Sequence, residues 1–351
     1  MEYYRCECDG CGFVTEGPEP AACPRCGGEF FVPVEEDFIT ADGWFLLGDQ
    51  ASDRDERDRA FACFTKSAAE DYAPALCALG VAWENGWGTE QSWEKAVEYY
   101  RRAADQEYPP AQCDLAWCLE NGMGAEQSQD EAVKYYTLAS EAGYPRAQFN
   151  LGVCYKRGTG VEQNDEEAVR LYCLAADQSY PPAQRALAAC FDSGEFLEKS
   201  PEKAFQLYSL AAEQDDPPAL CDLGLCYEYG SGVEADLVKA AECYRKAADQ
   251  EYPPAQCNYG YCCESGRGVE QSWEGAAAWY RKAADQGFGR AICNLAWCYD
   301  NGKGVDKDPE EARRLFRQAA ENGDPRGQYT MGLAYESGRG VDQDWAEAAR
   351  W

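Results

Sequence analysis

Four cysteines near the start of the chain have the type and spacing that bind a metal ion. Cys8 and Cys11 form one C-x-x-C pair and Cys23 and Cys26 a second, in the run CDGCGFVTEGPEPAACPRCGG. A C-x-x-C followed by glycine makes a tight knuckle whose backbone N–H groups face the thiolates, and two knuckles complete a tetrahedral four-sulfur site. Residues 1–38 carry few large apolar groups, so this segment is expected to need the metal in order to fold. Four thiolates suit zinc and iron alike; structural zinc is the expectation and iron the alternative. Cys6, in an unusual C-x-C, is read as a spare thiol rather than a ligand.

The rest of the chain is poor in catalytic groups. There is no histidine, which removes Ser-His-Asp and Cys-His nucleophile systems, H-E-x-x-H metal sites and any imidazole base. Acid pairs such as Glu166 with Glu167, and Glu310 with Glu311, stand where helices begin, and there carboxylates complement the helix dipole. No phosphate-binding G-x-x-x-x-G-K-S/T run occurs. A net charge of −31 repels a phosphate backbone or an anionic membrane, so neither nucleic acid nor a bilayer is an expected ligand. The segment 1–38 is itself acidic, which argues against a nucleic-acid-binding ribbon. The acidity fits a basic partner protein, or simply the solubility of an exposed array. The first residues show no basic start or apolar core of a leader, and no run of 18 apolar residues occurs, so a cytoplasmic location is expected.

The elements that carry these groups repeat. On a 36-residue grid, eight units fall into register without a gap, beginning at Ala75, Ala111, Ala147, Ala183, Ala219, Ala255, Ala291 and Gly327. In each, small or apolar residues at positions 1, 5, 8 and 9 mark one helix face, as in Ala147, Leu151, Cys154 and Tyr155. A Gly-x-Gly turn follows, then a polar helix start and a second helix. That helix has alanine at position 22, from Ala96 to Ala348, an aromatic at position 26, from Tyr100 to Phe316, and small residues at 29 and 30. Prolines 109, 110, 181, 182, 217, 218, 253 and 254 are read as ending it. Two antiparallel helices per unit, stacked in tandem, predict an all-α fold: an α/α superhelix, or solenoid, with a small β-rich metal ribbon at its N-terminus. The organisation expected is a ribbon over 1–38, a degenerate capping repeat over 39–74 and the array over 75–351. Since Trp351 falls within a second helix, the last repeat is read as incomplete. One turn departs from the pattern: Phe196 stands where the second glycine belongs, and a different local path is expected there.

The recurring pattern A-Q-x-N-L-G-x-x-Y-x-x-G-x-G-V-E, with A-x-x-x-Y-x-x-A-A in the second helix, resembles the Sel-one-like repeat, a relative of the tetratricopeptide repeat. The resemblance covers residues 75–351 and implies a protein-interaction scaffold or adaptor, with no inherited partner. Cysteines at position 3 (Cys77, Cys113, Cys221, Cys257, Cys293) and position 8 (Cys118, Cys154, Cys190, Cys226, Cys262, Cys298) alternate with Phe149, Tyr329, Ala82 and Ala334. That alternation marks packing slots in which a thiol acts as a small hydrophobe. A secreted, cysteine-rich branch of the same family, some of it β-lactamase-like, is the competing reading; it implies a leader and paired cysteines. The run CGFVTEGPEPAACPRCG also resembles the rubredoxin-like ribbon of rubrerythrins, which implies iron and electron transfer. The Glu-x-x-His motifs of the accompanying diiron bundle are absent.

Partner-binding residues should lie where the units differ. Positions 4, 7 and 11 share a stripe of the first helix apart from the packing face, and they vary from unit to unit. A protein or peptide along the concave face, basic in character, is expected to use Trp117, Tyr261 and Trp297 as anchors, with Asp114, Asn258 and Asn294 as polar companions. The alternative is that these rings pack between neighbouring first helices.

Overall fold

The computed structural model describes residues 40–338 and 340–351 in full, and the backbone alone of 4–8, 14–17 and 31–33. Those three segments are short strands, β1 Tyr4–Cys8, β2 Val14–Gly17 and β3 Phe31–Pro33, paired antiparallel in the order β2-β1-β3. The side chains of Cys6, Cys8, Cys11, Cys23 and Cys26, on which the metal-site expectation rests, lie outside the described residues.

Eighteen helices follow among the described residues, two to a repeat. The first helices are α1 Ala41–Asp53, α3 Ala73–Asn85, α5 Pro109–Asn121, α7 Pro145–Arg157, α9 Pro181–Ser193, α11 Pro217–Tyr229, α13 Pro253–Ser265, α15 Gly289–Asn301 and α17 Pro325–Ser337. The second helices are α2 Arg57–Ala68, α4 Trp93–Ala104, α6 Gln129–Glu141, α8 Asp165–Asp177, α10 Pro201–Ala212, α12 Leu237–Asp249, α14 Trp273–Asp285, α16 Pro309–Glu321 and α18 Trp345–Arg350. They fall into two compact units, residues 1–175 and 176–351. In the first, a continuous core runs from Ala51 to Leu171 through the alanines of the second helices, Tyr100, Tyr136 and Cys113, Cys118 and Cys154. In the second, an equivalent core of Ala240, Tyr244, Cys257, Ala276, Tyr280 and Cys298 does the same work. The position-3 and position-8 thiols are buried packing residues, as the alternation with Ala and Phe implied.

Local chemistry sets the helix ends. Second helices start behind side-chain caps: Ser92 accepts from the Lys95 N–H, Ser128 from Glu131, and Asp308 from Glu310 and Glu311. The prolines do not end these helices. They occupy the first turn of the next first helix, where the missing N–H costs nothing because it would have no intrahelical acceptor. What stops the second helix is a residue in the left-handed region: Glu107, Ser179, Asp215 and Glu251 at φ of 58° to 61°, or Gly143, Gly287 and Gly323 at 81° to 86°.

The Gly-x-Gly turn needs its glycines. Gly160 has φ 68°, and a Cβ there would lie 2.6 Å from the Gln129 carbonyl oxygen of the preceding repeat. Phe196 does not divert the chain as expected. It takes φ 67°, the conformation its glycine counterparts adopt, so the hydrogen bonds and packing around the turn override the steric preference of the residue.

Candidate functional site

Each first helix carries a row of positions 4, 7 and 10 along the edge of the core. Residues three apart on a helix are neighbours, so the row reads Asp114, Trp117, Glu120 in α5, Asn258, Tyr261, Glu264 in α13, and Asn294, Trp297, Asp300 in α15. The aromatic members stay accessible: Tyr261 and Trp297 are each 42% exposed, and Trp117 is half-buried. The same row lines two grooves, each formed by a second helix and the first helix that follows it. One, of 450 Å³, is bounded by Arg57 and Phe61 of α2, Val81 of α3, and Trp87. The other, of 710 Å³, lies between Arg313 and Phe316 of α16 and Thr330 and Leu333 of α17, with Trp345 at its edge.

Each of the two tryptophans has a ring partner on the second helix of the preceding repeat. Trp117 rests on Trp93, at the start of the preceding repeat's second helix, with ring centroids 5.8 Å apart; Trp297 stacks on Trp273 at 5.5 Å. The two pairs are copies. E-Q-S-W-E recurs at 90–94 and 270–274, L-A-W-C at 115–118 and 295–298, and Pro-Arg at 145–146 and 325–326. One set lies in each compact unit.

The polar companions are tied to neighbouring repeats. Asp114 accepts from Arg146 at 2.7 Å and from the Cys77 thiol at 3.7 Å. Arg326 donates to Asn294 at 3.2 Å, Arg290 donates to Asn258, and Arg185 donates to Asp222 at 2.9 Å. Asn258 and Asn294 also donate to Cys221 and Cys257, at 3.3 and 3.6 Å. Position 4 is therefore a rung that links consecutive repeats. Burial pushes the Asp114 carboxyl above its ordinary range, against the opposing pull of Arg146.

Sequence reasoning missed position 10. Its acids accept from the buried position-26 phenols: Tyr100 to Glu84 at 2.6 Å, Tyr136 to Glu120 at 2.9 Å, Tyr244 to Glu228 at 2.7 Å and Tyr280 to Glu264 at 2.6 Å. Burial first, then the glutamate, raises the Tyr100 hydroxyl far above the usual phenol range. The recurrence of an acid 16 residues before a tyrosine was the available signal. The second carboxylate oxygen has a use too. Arg267 donates to Glu228 Oε1 at 2.9 Å, and its guanidinium lies 5.5 Å from the centroid of the Tyr261 ring.

The Sel1 repeat profile matches nine successive segments, 43–72, 73–108, 109–144, 145–180, 181–216, 217–252, 253–288, 289–324 and 325–351. The chain belongs to the Sel1 repeat family. From residue 73 on, the family's repeat opens two residues before the grid position used above, at the first residue of each first helix, which is proline except at Ala73 and Gly289. Among solved Sel1 repeat structures, a protein from Oxalobacter formigenes is 30% identical, covers 70% of this chain and 96% of its own, and superposes with a TM-score of 0.61. The protective antigen c5321 of uropathogenic Escherichia coli, which displays the same fold, is 28% identical over 89% of this chain and 75% of its own, at a TM-score of 0.60. A search of curated proteins gave no match. Among the described residues of this Sel1 repeat protein, no helix is long and apolar enough to cross a membrane.

Proposed function

We propose that this chain is a protein-interaction scaffold that holds a basic partner along the first-helix row, with a structural zinc ribbon at its N-terminus. Sel1 repeat proteins generally act as interaction scaffolds, which supports the first part. The observation that carries it here is the row itself. Trp117, Tyr261 and Trp297 expose ring surface on the same helix faces as the acids Glu120, Glu264 and Asp300. Aromatic anchors beside carboxylates suit a partner that offers cations and apolar groups together. The donor set Cys8, Cys11, Cys23 and Cys26 suits a closed tetrahedral site whose role is to hold the ribbon's fold.

Replacing both Trp117 and Trp297 with alanine tests the reading. Partner capture should fall at least tenfold. Because both rings are partly exposed, the stability cost should stay near the worth of an aromatic pair, about 0.5–1.5 kcal/mol per site beyond lost area. Capture unchanged in the double variant sinks the proposal. Metal analysis of the purified chain should return close to one zinc; a red, iron-containing protein would support the rubredoxin-like alternative instead.

A further inference from the structure

Beside Tyr261, whose ring stays 42% exposed, the acid of the preceding repeat already has a cation from the chain itself, and that cation is an arginine. Arg267, in the turn after α13, reaches back to Glu228 of the preceding repeat at 2.9 Å while its guanidinium lies 5.5 Å from the Tyr261 ring centroid. The contact spans 39 residues, and the same span links Ser231 to Asp192 at 3.1 Å. The turn residue of one repeat is thus in register with the position-10 acid of the repeat before it.

In the first compact unit, the residues at the matching repeat positions are Met123 for Arg267, Glu84 for Glu228 and Trp117 for Tyr261. The ring is larger than at the Tyr261 site and the acid is the same. Glu84 Oε2 accepts from Tyr100, as Glu228 Oε2 accepts from Tyr244. The internal cation is replaced by a thioether, and among the described residues no cation lies over Trp117. Elsewhere in the chain, aromatic faces take cations readily: Lys95 sits 3.8 Å from the Trp83 centroid, Lys66 4.0 Å from Trp44 and Lys282 3.9 Å from Trp279.

We infer that the Trp117–Glu84 site receives an arginine side chain of the partner, in the arrangement that Arg267 adopts on Tyr261 and Glu228. The guanidinium pairs with Glu84 Oε1 and lies on the indole, an ion pair and a cation–π contact made by one planar group. The inference rests on the scaffold reading and specifies what that scaffold recognises.

The full chain labelled with 5-fluorotryptophan provides the test. The Trp117 resonance is assigned with Trp117→Phe, and the probe is a hexa-arginine peptide at about 0.15 M salt, where long-range attraction is screened. The Trp117 signal should move saturably. Glu84→Gln should weaken the response severalfold. Met123→Arg should shift Trp117 without peptide and cut the peptide affinity at least tenfold, because the site then holds its own guanidinium. Arginine already occupies the matching position at Arg267, so this variant should keep wild-type helical content. A Trp117 signal that ignores the peptide, moves only in step with every other tryptophan, or responds equally in Met123→Arg overturns the assignment. A captured partner that is lost by Trp117→Ala but retained by Met123→Arg overturns the arginine while leaving the scaffold standing.

Discussion

Cys113 and Cys221 are buried thiols held neutral, their pKa pushed up to about 12 mainly by burial, with nearby arginines pulling the other way. In the unfolded chain the same groups ionise near 9.0. The folded state therefore keeps protons that the unfolded state gives up as pH rises, so stability declines across that window. Below about pH 9 the contribution is whole; above it, each such thiol costs up to about 1.4 kcal/mol per pH unit. Denaturant midpoints at about pH 8 and pH 10 should show the drop, and Cys113→Ala should lessen it. In the native state at neutral pH these thiols should also react with maleimide far more slowly than after denaturation. Phe196 offers a second residue-scale expectation. A bulky side chain in the left-handed region costs about 1–2 kcal/mol, while glycine returns part of that gain through unfolded-chain entropy. Phe196→Gly should raise the melting temperature slightly, and a clear loss of stability would show that the ring contributes packing worth more than the strain.

Between elements, the Arg146–Asp114 contact joins α7 to α5 across the repeat boundary. Removing Arg146 leaves a mostly covered carboxylate without its cation, at a cost of about 1–3 kcal/mol. Asp114→Asn in the same background should recover much of this, because the chain already tolerates Asn294 at the equivalent rung. Chemical denaturation of the two single variants and the double variant measures the coupling; additive effects would mean that the pair contributes nothing specific. This scale also shows where the sequence was legible. Periodicity told which residues recur, and so the helix faces, the alanine contacts and the thiol slots could be read directly. It could not tell which position of one repeat meets which position of the next. The rungs 37 residues apart, from Cys221 to Asn258, and the clasp 39 residues apart, from Glu228 to Arg267, depend on the offset between stacked helices, a packing quantity. The prolines were misassigned for a related reason. Their composition signals a boundary, but the side of the boundary depends on which backbone N–H groups lack acceptors.

At the scale of the molecule, the helical array holds extensive buried cores of its own among the described residues, from Trp44 to Ala319. Stripping the proposed zinc with a strong chelator should therefore leave the helical circular dichroism signal and its melting transition unchanged. A collapse of helicity on chelation would show that the ribbon caps the array. The twin tryptophan pairs carry a different consequence, one for ancestry. Every residue of the Trp93–Trp117 constellation, from Glu90 to Arg146, falls within three successive repeats. A duplication of a block of repeats thus transplants the proposed recognition surface in one event, with its supporting rungs included. Single substitutions can then let the copies diverge without rebuilding either one: aspartate at 114 but asparagine at 294, methionine at 123 but lysine at 303. In such a chain, new specificity comes from editing a copy.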